Sequence, residues 1–137
     1  MNLSVMVYFT PDTANAALPD VVAKYEYALK CRDEVEKAEK EINFATSHDA
    51  KLEEFVRLKQ ALNSKVSKFY TSIEQLESTG VMAKSLDSGL LDFPAKRFQD
   101  EVWLCWKEGE TEIKFWHEKH SGFTGRKPIQ VSKESLV

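Results

Sequence analysis

Leu90-Leu91-Asp92-Phe93-Pro94-Ala95, Glu101-Val102-Trp103-Leu104-Cys105-Trp106 and Phe115-Trp116-His117-Glu118-Lys119-His120-Ser121-Gly122-Phe123-Thr124-Gly125-Arg126 make up the stretch whose reading decides the fold. Between Leu90 and Arg126 lie all three tryptophans, three of the five glycines and two of the three histidines. The second and third runs flank Lys107-Glu108-Gly109-Glu110, which predicts a β-hairpin with a four-residue loop containing glycine. In that pairing Trp106 faces Thr111, Leu104 faces Ile113, Val102 faces Phe115 and Asp100 faces His117 on one core-like face. Trp103 with Lys114, Cys105 with Glu112, and Glu101 with Trp116 form the other, amphipathic face. A slip of one residue exchanges the two faces. Leu90 to Phe93, ending at Pro94, suits a short edge strand. Val81 to Leu86 suits another.

Everything upstream reads as helix. Thr10 is placed to cap, Pro11 sits at the first helical position, and Asp12 puts negative charge in the first turn. A short helix from Pro11 to Leu18 is expected to kink or restart at Pro19. A long helix then runs to about Phe44, with Val21/Val22, Tyr25, Ala28/Leu29, Cys31, Val35, Ala38, Ile42 and Ala45 on its apolar stripe. Thr46-Ser47-His48-Asp49 interrupts it. A further helix carries Leu52, Phe55, Leu58, Leu62, Val66, Phe69, Ile73 and Leu76 and closes at Gly80, suited to a left-handed cap. Two such helices, each about 40 Å long at 1.5 Å per residue, joined by a tight loop, make an antiparallel hairpin with coiled-coil spacing. Two helices alone leave apolar side surface open, which favours a homodimer.

At 137 residues with a net charge of -3, the chain is read as a single domain, with the hairpin over 10–79, a small sheet over 81–126 and a tail over 127–137 that is mobile or docked on a neighbour. The charge supplies no basic face for nucleic acid or an anionic membrane. Cys31 and Cys105 form no CxxC pair, which suits reduced thiols and a cytoplasmic protein. The apolar start, Met1 to Phe9, lacks a positive region and a cleavage site, and no run is long enough to span a membrane.

Several blocks resemble one family. Tyr8-Phe9-Thr10 with Ala14-Asn15-Ala16-Ala17-Leu18-Pro19, then Gly89-Leu90-Leu91-Asp92-Phe93-Pro94-Ala95, Val102-Trp103-Leu104-Cys105-Trp106, and Trp116-His117-Glu118 with Gly122-Phe123-Thr124-Gly125-Arg126 are similar to the ordered blocks of the DUF2203 family. Asp12-Thr13 stands where that family has an acidic pair, and Lys96-Arg97-Phe98-Gln99 brings no glycine to the turn before the hairpin. The resemblance covers nearly the whole chain and implies no activity.

Chemistry-bearing residues concentrate in the same blocks. A divalent metal suits His117, His120 and Asp92 or Asp100, because neutral imidazole and carboxylate are its natural ligands. The two histidines are three apart, not four on one helix face as in zinc proteases. The competing reading ties His117 to Asp100 or Asp92 inside the sheet and leaves His120 in water. Gly122 to Arg126 suits an anion nest with Arg126 as bidentate partner, or a turn with Arg126 paired to Asp92 or Glu118. Cys105 would need His117 across the sheet as base to act as a nucleophile; otherwise it is a half-buried strand cysteine. A ligand pocket would draw on Asp92, Arg97, His117, Glu118 and Arg126.

The fold expected is α+β: a long antiparallel helical hairpin preceded by a short helix, carrying an antiparallel sheet of three or four strands. The leading function is a non-catalytic, self-associating interaction protein. The alternative is a small-ligand, anion or divalent-metal binding domain, even a hydrolase, around His117 and Asp92. The sequence names no cofactor and no enzymatic reaction.

Overall fold

A computed structural model describes residues 7–131 and Leu136. The sequence expectations for Met1 to Met6, and for the rest of the tail, lie outside the described residues. The fold is α+β: two long helices, α1 (Pro11–Ser47) and α2 (Leu52–Glu77), are followed by five strands, β1 (Met82–Ser85), β2 (Leu90–Arg97), β3 (Asp100–Lys107), β4 (Phe115–Glu118) and β5 (Lys127–Pro128). By compactness the chain divides into two units, Met1–Val22 with Leu76–Val137, and Ala23–Gln75.

The Ala23–Gln75 unit is a helical hairpin. On α1 the buried positions Tyr25, Ala28, Cys31, Ala38, Ile42 and Ala45 keep the three-and-four spacing read from the sequence. Ile42, Ala45 and Leu58 form a small cluster, with Ala50 and Leu62 against it. Lys65 and Lys68 reach Glu34 across the helix pair at 3.7 and 3.6 Å. These partly exposed pairs orient more than they stabilise. α1 ends in a Schellman turn: the Ala50 N–H donates to the Ala45 carbonyl at 3.0 Å, and Asp49 occupies the left-handed position at φ 54°.

The helix start follows the sequence reading. The Thr13 N–H donates to the Thr10 hydroxyl, and the Thr10 N–H donates back to the Thr13 hydroxyl at 2.8 Å. Thr13 thus plays the reciprocal part usually given to a glutamate. The expected break at Pro19 does not occur, since α1 runs through it without interruption. Pro19 faces solvent, while Leu18, Val21 and Tyr25 on either side are buried in one unbroken stripe. Packing on that stripe outweighs the roughly 3 kcal/mol penalty of an interior proline. Pro11 to Leu18 are therefore the first turns of α1 and not a helix of their own.

In the other unit the strands form an antiparallel sheet in the order β1-β2-β3-β4-β5. Three expectations are corrected. First, β2 is an interior strand of eight residues that passes Pro94 and ends at Arg97. β1 pairs it only as far as Asp92, and among the described residues no strand pairs the edge of Pro94 away from β3; there its carbonyl accepts the Phe9 N–H at 2.7 Å. In an antiparallel strand N–H and C=O of one residue point to the same side, so the N–H that proline lacks is not missed by the β3 ladder.

Second, β3 and β4 pair three residues out of the expected register: Trp103 faces His117, Leu104 faces Trp116 and Cys105 faces Phe115. The tight four-residue loop is replaced by a longer connection held from outside. Asn15 Oδ1 accepts the Ile113 N–H at 2.7 Å, and Trp106 Nε1 donates to the Glu110 carbonyl at 2.8 Å. An odd shift exchanges the faces of β4 relative to β3. Third, the sheet has a fifth strand, of two residues, in the segment read as loop and tail.

The result is one face carrying Leu91, Phe93, Ala95, Val102, Leu104, Trp106 and Trp116, all buried. Phe9 packs edge-on against Phe93 at 5.1 Å. Gly80, at φ 97°, closes α2 as expected, and a side chain there would press on the Phe9 ring at 3.3 Å. The opposite face carries Asp92, Pro94, Trp103, Cys105, Phe115 and His117.

Candidate functional site

The sheet sorts the candidate residues by strand parity. Asp92 lies directly opposite Cys105, and His117 lies opposite Trp103, two residues along β3 from Cys105. Side chains two apart on a strand share a face, so Asp92, Cys105 and His117 meet. Their ligand-type atoms lie within 4.8 Å of one another, and all three residues are buried. His117 Nε2 donates to Asp92 Oδ1 at 3.1 Å, and Nδ1 donates to the Glu118 carbonyl at 2.8 Å. A ring with an acceptor on each nitrogen is the hydrogen-bond environment of an imidazolium. Burial opposes that charge. The bonds to Asp92, to Cys105 and to the Glu118 carbonyl outweigh it and push the His117 pKa up to about 10.

A Cys–His–carboxylate relay needs the thiol on one ring nitrogen and the carboxylate on the other. Here Nε2 is bonded to Asp92 and Nδ1 to a backbone carbonyl, so neither ring nitrogen is left to take the thiol proton. The trio is not arranged as a nucleophile with its base.

The remaining candidates lie elsewhere. Arg97, Asp100, Glu118 and His120 line an open concavity of about 380 Å³ together with Trp116 and Lys119. Arg97, Asp100 and Glu118 have the parity of the tryptophan-rich face, so the sheet separates them from Asp92 and His117. Asp100 and His120 are both exposed and do not join the buried pair. The Arg97 guanidinium stacks on the Trp116 ring at 5.1 Å, and Lys127 lies over the same ring at 5.0 Å. Lys127 also bonds Glu118, which holds the Glu118 carboxyl below its usual range. This concavity is mixed in sign and wet.

Arg126 is part of the opposite face's cover. Its Nη2 donates to both Glu110 carboxylate oxygens at 2.7 and 2.8 Å and to the Cys105 carbonyl at 3.2 Å. Its guanidinium lies 4.0 Å over Phe115 and 4.8 Å over Phe123. The acidic partner is Glu110, not Asp92 or Glu118. A bulge in β1 sets the extra residue, Lys84, over Trp103 at 4.6 Å. Beside it, Glu101 accepts from Tyr8 and from Lys119, which holds its carboxyl low and raises the Tyr8 phenol.

Cys105 is the residue that sequence reasoning undervalued. The sequence offers it as a nucleophile with His117 as base or as a half-buried strand cysteine, and leaves it out of the metal candidates; it is in fact buried. The signal that finds it is parity: once Trp103 pairs with His117, Cys105 must point the same way.

Among the described residues no helix is long and apolar enough to cross a membrane. Neither a curated protein nor a solved structure matches the chain. The model of the family described as "Uncharacterized conserved protein (DUF2203)" matches residues 7–129, and the chain belongs to that family.

Proposed function

We propose that this chain is a non-catalytic interaction protein of the cytoplasm that self-associates as a homodimer through its hairpin, the helices of two copies meeting as a coiled coil. The observation that carries the reading is a second apolar seam on α2. Leu58, Leu62, Lys65, Phe69 and Ser72 form the seam that turns inward; Leu58 and Ser72 are buried and the other three half-buried. Leu52, Val56, Lys59, Asn63, Val66, Tyr70 and Ile73 follow the same alternation of four and three about 100° further round the helix. Leu52, Val56 and Tyr70 remain exposed, at 75%, 44% and 62%.

A heptad seam of this kind is matched by another like itself. Asn63 in its middle suits a two-copy interface, where one polar seam residue sets register and oligomeric state at some cost in stability. Val56→Glu together with Tyr70→Glu in the full chain tests the reading. Both positions are exposed, so helical content by circular dichroism should not change, while light scattering should show a shift from dimer to monomer. A variant with the mass of the parent removes the hairpin from the account.

A further inference from the structure

We propose that Asp92, Cys105 and His117 bind a zinc ion through one carboxylate oxygen, the thiolate sulfur and the imidazole Nε2. Three strands bring these atoms together: β2 gives Asp92, β3 gives Cys105 directly opposite, and β4 gives His117 on the neighbouring diagonal. The atoms lie within 4.8 Å of one another, and the nitrogen and oxygen are already 3.1 Å apart. Zinc takes bonds of about 2.0–2.1 Å to nitrogen and about 2.3 Å to sulfur, so ligand atoms this close to one another are within reach of a single ion.

The chemistry of the set favours this ion. One sulfur, one imidazole nitrogen and one carboxylate oxygen suit zinc and are poor partners for magnesium or calcium, which take oxygen. Deprotonated, the trio carries one thiolate and one carboxylate charge beside a neutral ring. A divalent ion cancels both, in a place where uncompensated charge is costly. The outer contacts are also those of a metal site. Nδ1 donates to the Glu118 carbonyl at 2.8 Å, which fixes the ring orientation and leaves Nε2 for the ion. Arg126 braces the Cys105 carbonyl, so the strand under the sulfur is held. On binding, zinc bonds to sulfur, nitrogen and oxygen replace the Cys105 S–H, the His117 Nε2–H and its hydrogen bond to Asp92, both protons go to solvent, and one water completes the tetrahedron.

The proposal goes beyond self-association and is independent of it, since the trio lies outside the hairpin unit. The test uses the full chain without a histidine tag, stripped with a chelator and titrated with cobalt(II) and then zinc. The expected result is one cobalt per chain, with a thiolate-to-cobalt charge-transfer band and tetrahedral ligand-field bands, both displaced by zinc. Cys105→Ser should abolish the charge-transfer band and weaken binding at least about tenfold, whereas Cys31→Ser should leave both unchanged. If Cys105→Ser does not fold, X-ray absorption on the zinc form of the unaltered chain decides: one sulfur at bonding distance supports the site, and a shell of oxygen and nitrogen alone overturns it. A folded parent that takes up no cobalt, or a band that survives Cys105→Ser, leaves a buried ion pair only and ends the proposal.

Discussion

The two units of this chain differ in how they treat the side chains along their main elements. In the sheet unit Trp103, Trp106 and Trp116 are 7%, 2% and 2% exposed, and β3 is buried on both faces. In the hairpin unit Phe44 is 64% exposed and Leu52 75%. A five-stranded sheet has two faces to cover, and part of the cover is Phe9 against Phe93 and cations over Trp103 and Phe115. A helix pair buries one seam on each member and leaves the rest to whatever comes next. The contrast separates a unit that covers its tryptophans from one that leaves large apolar side chains exposed, which is the surface the proposed self-association would use.

Identical truncations should break this comparison open. Phe93→Ala removes a ring with no solvent exposure and should cost about 3–5 kcal/mol in urea denaturation followed by tryptophan fluorescence. Tyr70→Ala, on the hairpin, should cost the dilute monomer less than about 0.5 kcal/mol, while shifting the association equilibrium. If the two variants lose similar stability, the distinction between the units is wrong.

The buried ion pair comes next in size. Asp92→Ala, measured in chelator, leaves His117 without its carboxylate inside the sheet and should destabilise by about 3 kcal/mol. Replacing both partners with apolar residues, as in Asp92→Leu with His117→Phe, should recover much of that loss, because the desolvated charge is gone. Double-mutant analysis of the unfolding midpoints checks it; a double variant worse than the sum of the singles would refute a pair that acts chiefly through charge.

A smaller effect lies in the β2–β3 turn. Phe98 is 70% exposed yet sits at φ 57°, a left-handed conformation costly for a bulky residue. Phe98→Gly should raise stability by about 1 kcal/mol, read as a shift in the denaturation midpoint. A loss of stability instead would mean that the Phe98 ring, stacked under Arg97 at 5.2 Å, contributes packing that outweighs the strain.

How far the fold was readable follows from where each determinant resides. The α1 stripe, the Thr10 cap and the Gly80 cap were legible because each is set by residues within a few positions of one another. The β3–β4 register was not. It depends on Asn15, nearly a hundred residues away in sequence, holding the Ile113 backbone, and on Glu110 being claimed by Trp106, Lys107 and Arg126. Pro19 misled because its local penalty is real but smaller than the stripe that runs past it. The pairing of His117 with Asp92 was among the alternatives read from sequence. Asp100 was another, and only the register separates them. Arg97 and Glu118 lie on the far side of the sheet from Asp92 and His117 for another reason: β2 continues past Pro94 and β4 takes in Glu118, so each sits at an odd spacing from its candidate partner on the same strand.

The central claim is that the hairpin is half of an interface, and sedimentation equilibrium of the intact, tag-free chain tests it most directly. The expected result is twice the chain mass at micromolar concentration, falling towards the chain mass on dilution. A single chain mass at every concentration would contradict it.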